Sequence, residues 1–153
     1  MQSSPRSIEI LMADDDKDDQ LLIRDALNES SVRSTLRIVN DGKELIEYLQ
    51  GKEQFFDRDV SVQPDLILLD LNMPRMDGRQ ALAAIKSDPV LRRIPVIILT
   101  TSTAEEDMLK AYDLGAASYF SKPVTYGGLV ELMKTLGRYW VEFVELPGKQ
   151  IAF

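Results

Sequence analysis

Two kinds of segment alternate along the chain. The apolar runs IEILMA (8–13), LRIV (36–39), LILLDL (66–71), VIILT (96–100) and ASYF (117–120) have the length of β-strands. Three of these runs are nearly continuous in aliphatic side chains, the pattern of parallel strands covered on both faces. Between them, apolar residues recur at helical spacing. Leu22, Ile23, Ala26 and Leu27 mark one helix over about 18–28, and Leu45, Ile46 and Leu49 a second over 43–50, stopping at Gly51. Ala81, Leu82 and Ile85 mark a third, and Met108, Ala111 and Tyr112 a fourth that stops at Gly115. The last begins near Thr125 and shows Leu129, Leu132, Met133, Leu136, Trp140, Phe143 and Val144.

Five strands, each followed by a helix, predict an α/β chain of the (βα)5 type. Right-handed crossovers then favour a doubly wound parallel five-stranded sheet. Ligands of such sheets sit beyond the carboxyl ends of the strands, where the strand order reverses. The ends of the apolar runs carry reactive groups: Asp14, Asp15 and Asp16 after the first, Asp70 closing the third, Thr100 and Thr101 at the fourth, and Lys122 after the fifth. Residues 51–65 form a longer link than a helix-to-strand turn needs and read as a surface insertion. The expected organisation is a tail at 1–6, a domain at 7–136, and an extension of the last helix with a tail at 137–153.

Composition narrows the chemistry. The 153 residues include no Cys and no His, which removes disulfides, thiolate nucleophiles, Cys/His zinc sites and imidazole catalysis. The net charge of −7 and the absence of a Lys/Arg-rich block argue against nucleic acid as a partner. No apolar run approaches the length of a membrane span, and the start MQSSPRSIEI lacks the regions of a signal peptide, so a cytoplasmic location is expected.

The stretch LMADDDKDDQLL packs five aspartates into six positions. Asp14, Asp16 and Asp18 fall at calcium-loop spacing, but a strand-like segment precedes them, and Asp19 and Asp25 stand where an EF-hand needs Gly and Glu. A solvated acidic helix start accounts for Asp18 and Asp19, and a capping role for Asp16. It does not account for the groups at the other strand ends. Carboxylates gathered near Asp70 would repel one another by roughly 4 kcal/mol per pair at 4 Å and an effective dielectric near 20, a cost that a cation relieves. An oxygen-only donor set suits Mg2+, and a hard cation beside an ionised Asp, a Lys and a Thr is equipment for phosphoryl transfer.

On the acidic pair Asp14–Asp15, Asp70 in LLDLNMPRMDG, Thr100 in ILTTS and the Lys122–Pro123 dipeptide, the chain resembles the receiver domain of two-component response regulators over roughly residues 7–136. The resemblance implies a flavodoxin/CheY-like fold with strand order 2-1-3-4-5. It also implies that Asp70 is the phosphoacceptor and that Asp15, Asp70 and the carbonyl of Asn72 ligate Mg2+, with Asp14 acting through water. By the same resemblance Lys122 pairs with a phosphoryl oxygen, Thr100 is the switch hydroxyl and Tyr119 the aromatic switch. The resemblance also implies that Gly78 and Pro74 shape the loop after the third strand and that the Lys122–Pro123 peptide is cis. The resemblance further implies that a phosphohistidine kinase supplies the group, that the fourth helix, fifth strand and last helix form the face that changes affinity for partners, and that no external substrate is turned over.

Only 17 residues follow Leu136, too few for an output domain, so signalling through another protein is expected. The ending RYWVEFVELP and the long link before the third strand look like stand-alone regulators paired with phytochrome-type histidine kinases. Leu136, Trp140, Phe143 and Val144 extend an apolar stripe past the domain and suggest a homodimer through the last helix and tail. Two rivals stand beside this reading. A phosphatase of the haloacid dehalogenase kind would need an acid/base Asp where Asn72 stands, and a degenerate receiver would serve as an interaction module without phosphorylation.

Overall fold

The computed structural model describes residues 7–51, 63–144 and 146. Its strands are β1 (Ile8–Ala13), β2 (Ser34–Val39), β3 (Leu66–Leu69), β4 (Val96–Thr100) and β5 (Ser118–Ser121), and its helices α1 (Lys17–Ser30), α2 (Gly42–Leu49), α3 (Gly78–Ser87), α4 (Glu105–Asp113) and α5 (Tyr126–Gly137). The sheet is parallel throughout in the order β2-β1-β3-β4-β5, the doubly wound arrangement expected. The expected insertion lies mostly outside the described residues.

Alternation along the strands builds two cores. Leu11, Ala13, Ile67, Leu69, Val96 and Ile98 face α2, α3 and α4, where Leu45, Leu49, Leu82, Ile85 and Ala111 meet them. Ile8, Ile10, Met12, Leu66, Leu68, Ile97 and Leu99 face α1 and α5, meeting Ile23, Ala26, Leu27, Leu129, Val130 and Met133. Each buried Leu or Ile contributes about 1.5–3 kcal/mol relative to exposure, and the central strands bury both faces.

Caps set the helix starts. Asp41 accepts from the Glu44 amide at 2.8 Å to open α2, Asp77 and Gln80 form a reciprocal capping box at α3, and Thr125 accepts from the Gly128 amide at 3.0 Å at α5. α1 outruns the periodic stretch at both ends, because Asp16 caps it and Ser31 closes it in the left-handed region at φ 62°.

The segment after α5 departs from expectation. Residues Arg138–Phe143 form a π-helical turn, with the Val144 amide bonding the Tyr139 carbonyl at 3.0 Å. Leu136 and Trp140, expected on a partner surface, are each only 8% exposed and belong to the core beneath α1 and α5, together with Leu146. Val144 is half-buried against that core, and the side chain of Phe143 lies outside the described residues. The reason is spacing: Trp140 sits four residues after Leu136, on the face α5 already turns inward, where its large ring leaves water. Tyr139, in edge contact with Trp140 at 5.2 Å, is exposed.

Candidate functional site

Strand register assembles the site. Ala13 pairs with Leu69, so the residues that follow in β1 and β3, Asp14 and Asp70, emerge side by side where the strand order reverses. Thr100 pairs with Ser121, which sets Lys122 beside the end of β4, and the Lys122 amide donates to the Thr100 carbonyl at 2.7 Å. Asp14, Asp70 and Thr100 are buried and Asp15 is exposed.

The acidic run divides its labour. Asp14, Asp15 and Asp70 offer oxygens that all lie within 4.8 Å of one another. Asp16 turns away and caps α1, accepting from the amides of Asp18 at 2.9 Å and Asp19 at 3.2 Å, while its own amide donates to Asp14 Oδ1 at 2.9 Å. Asp18 is exposed. Asp19 instead reaches Lys122, a contact that its place in the first turn of a helix did not suggest.

Lys122 Nζ donates to Asp14 Oδ2 at 2.8 Å, Asp19 Oδ2 at 2.6 Å and Asp70 Oδ2 at 2.9 Å, which uses all the protons of an ammonium. Burial by itself would lower its pKa, but the hydrogen bonds and charges of Asp14, Asp19 and Asp70 outweigh that and hold it above the ordinary lysine value. Asp14 goes the other way for a carboxyl: burial raises its pKa, and the bonds from Lys122 and the Asp16 amide only partly offset the effect. Among the described residues no peptide bond is cis, so the expected cis Lys122–Pro123 is corrected to trans, the isomer X–Pro bonds ordinarily favour. The ammonium reaches its three carboxylates from that backbone.

Asp70 Oδ1 takes the Thr100 hydroxyl at 2.9 Å and the Asn72 amide at 3.3 Å. Asn72 itself is exposed at the start of the loop between β3 and α3. That loop is pinned: Arg75, at φ 64°, donates to both oxygens of Asp41 at 2.8 and 3.2 Å, and the Met76 carbonyl accepts from the Gly42 amide at 2.9 Å. A Cβ on Gly78 would overlap the Asp70 carbonyl oxygen, which explains the glycine there, and the Gly78 amide donates to Leu71 O at 2.8 Å. Tyr119 is half-buried and its hydroxyl donates to the Ser102 carbonyl at 3.1 Å. The Ser102 hydroxyl turns to Asp107 at 2.7 Å, which also holds Arg79 of α3 at 2.7 Å.

Three converging carboxylates, one of them exposed, fit a hard divalent cation, which takes oxygen ligands and keeps several waters. A buried carboxylate held between an ammonium and a hydroxyl could attack an electrophilic phosphorus, with the ammonium beside it to offset the developing negative charge.

Fold and site together define a phospho-signalling receiver, and the chain belongs to the response regulator receiver domain family, which matches residues 10–134. It is 38% identical over 146 residues to response regulator Rcp1 of Synechocystis sp., covering 95% of this chain and 97% of that protein. The crystal structure of the phosphorylated cyanobacterial phytochrome response regulator RcpA superposes with a TM-score of 0.84 at 39% identity, over 93% of this chain and 99% of that one. The Mn2+-bound form of Rcp1 superposes with a TM-score of 0.81 at 37% identity, over 92% and 99%.

Proposed function

We propose that the protein is a response regulator whose Asp70 accepts a phosphoryl group from phosphohistidine on a partner kinase, with output through protein contacts. An Asp70 oxygen forms the new bond to phosphorus as the bond to the donor imidazole breaks. Lys122, released from Asp70 Oδ2, pairs with a phosphoryl oxygen, and the Thr100 hydroxyl exchanges its Asp70 contact for the same group. Asp14, Asp15 and Asp70, with the Asn72 carbonyl, would hold Mg2+, which when bound offsets charge on the transferring oxygens. Tyr119, bonded at its hydroxyl to the Ser102 carbonyl, would follow Thr100 and carry the change to the α4–β5–α5 face.

The observation that carries the reading is the convergence of Lys122 and Thr100 on Asp70, each at 2.9 Å, within a cluster of carboxylates. The test is incorporation of phosphate from acetyl phosphate or a labelled kinase, expected to need Mg2+ and to vanish in Asp70→Asn. A wild-type chain that takes no label would turn the reading toward an interaction module. A hydrolase of the dehalogenase kind is disfavoured, because Asn72 cannot donate and retrieve a proton.

The kinase of this reading is of the phytochrome type, supported by likeness to Rcp1 and to the phytochrome regulator RcpA over nearly the whole chain. Beyond its own phosphorylation and slow hydrolysis, the reading assigns no enzymatic turnover, and it places the protein in the cytoplasm. No described helix is long and apolar enough to cross a membrane. A homodimer along α5 and the turn after it would use exposed Tyr139 and half-buried Val144, with Leu136 and Trp140 stiffening that surface from beneath. Light scattering with and without phosphorylation tests it, and a monomer in both states removes it.

A further inference from the structure

Lys122 is shared by three carboxylates, and only two of them, Asp14 and Asp70, belong to the group suited to a cation. A cation arriving there would draw on the carboxylates of Asp14 and Asp70, to which Lys122 now donates. Its charge also repels the ammonium. Asp19 stands outside the cation group, on the first turn of α1, yet makes the shortest of the three contacts, at 2.6 Å. The Lys122 side chain is only 10% exposed, so bulk water has little access to replace the lost partners. From this we propose that Asp19 is a positioning residue: it holds the Lys122 ammonium and offsets its charge while Asp14 and Asp70 turn to the divalent ion. This inference rests on the reading of Asp14, Asp15 and Asp70 as the ion's ligands.

The arrangement supplies its own control. Asp18 lies one residue away, carries the same charge and is exposed. Loss of a charge in general therefore affects both variants, whereas loss of the tether affects one. Calorimetric titration of the full chain with Mg2+ and with Mn2+ is the experiment. Asp19→Asn is expected to weaken ion binding roughly three- to tenfold, the range for a partly screened charge a few ångströms away, and Asp18→Asn less than about twofold. Asp19→Glu, which keeps the charge on a longer stem, is expected to recover most of the loss. A second readout uses the wild type alone. The NMR coupling across the hydrogen bond between Lys122 Nζ and the Asp19 carboxyl carbon is expected to persist at saturating Mg2+.

Equal affinities for Asp19→Asn and Asp18→Asn overturn the proposal, as does loss of the coupling when Mg2+ binds. If Asp19→Asn does not fold, the wild-type coupling and Asp19→Glu decide it. A wild type that binds no divalent ion would instead refute the ligand reading itself. Normal binding that is indifferent to Asp19 refutes only the tether.

Discussion

β3 is flanked by two buried aspartates, Asp65 before it at 4% exposure and Asp70 after it at 8%. They share a strand, a residue type and near-total burial, yet their partners differ. Asp65 settles against backbone: its Oδ2 accepts from the Glu9 amide at 2.8 Å, and its own amide donates to the Glu9 carbonyl at 2.7 Å. Asp70 is held at its oxygens by the side chains of Lys122 and Thr100, which arrive from other strands, and by the Asn72 amide. A carboxylate tied to its neighbour's main chain fastens a strand. One held by side-chain donors has partners that a rotamer change could turn to a new group. Burial alone does not mark a reactive acid; the kind of donor that satisfies it does.

The sharpest way to break the comparison is to neutralise each end. Asp70→Asn is expected to abolish phosphoryl incorporation completely, while Asp65→Asn incorporates within about twofold of wild type, because Asp65 lies at the opposite end of β3 from the site. If both variants lose incorporation, Asp65 belongs to the reactive machinery after all.

Next in size is Lys122→Met. It leaves Asp14, Asp19 and Asp70 without their common counter-charge and is expected to cost about 3 kcal/mol in denaturant unfolding, part of which Mg2+ restores. For the wild type, Mg2+ at a hundred times its dissociation constant should add about 2.7 kcal/mol. Asp65→Ala should keep that gain and Asp70→Asn lose most of it. Asp65→Ala itself should cost about 2 kcal/mol at any Mg2+ concentration, since the Glu9 amide loses its acceptor.

The smallest effect is a pH dependence. Burial holds Asp14 above its ordinary value of 3.8, so the folded state binds a proton there more readily than the unfolded one. Asp14 therefore destabilises the fold above its raised pKa, and that penalty fades as pH falls toward 3.8. Asp14→Asn should raise the unfolding midpoint at pH 8 in the absence of divalent ions, with a gain that shrinks on acidification. Asp41 runs opposite: although burial opposes its charge, Arg75 and the Glu44 amide hold its pKa below 3.8, and its stabilisation is lost only as pH falls through that lowered value.

Much of this was legible in the chain. Aliphatic runs located every strand of the described sheet, and the groups at their ends located the site. The misses have separate causes. β3 stops at Leu69 and not at 71: the Asp70 amide still bonds the Ala13 carbonyl at 3.0 Å, but the Leu71 carbonyl already turns to the Gly78 amide at 2.8 Å. β2 begins at Ser34, two residues before its apolar run, because Ile8 pairs there. Asp19 was read as a dipole-favoured helix acid because its partner lies 103 residues away, and no local pattern reports such a contact. Trp140 was assigned to a surface because periodicity marks a face as apolar without saying what covers it. The trans bond at Pro123 was invisible to composition and spacing alike.

The pairing of Ala13 with Leu69 has a consequence for quality control. Sliding β3 by one rung would turn its side chains to the opposite layer and carry Asp70 away from Asp14 and Lys122. If Asp70 is the phosphoacceptor as proposed, a mis-threaded copy could not be phosphorylated, and only correctly registered molecules would carry the signal.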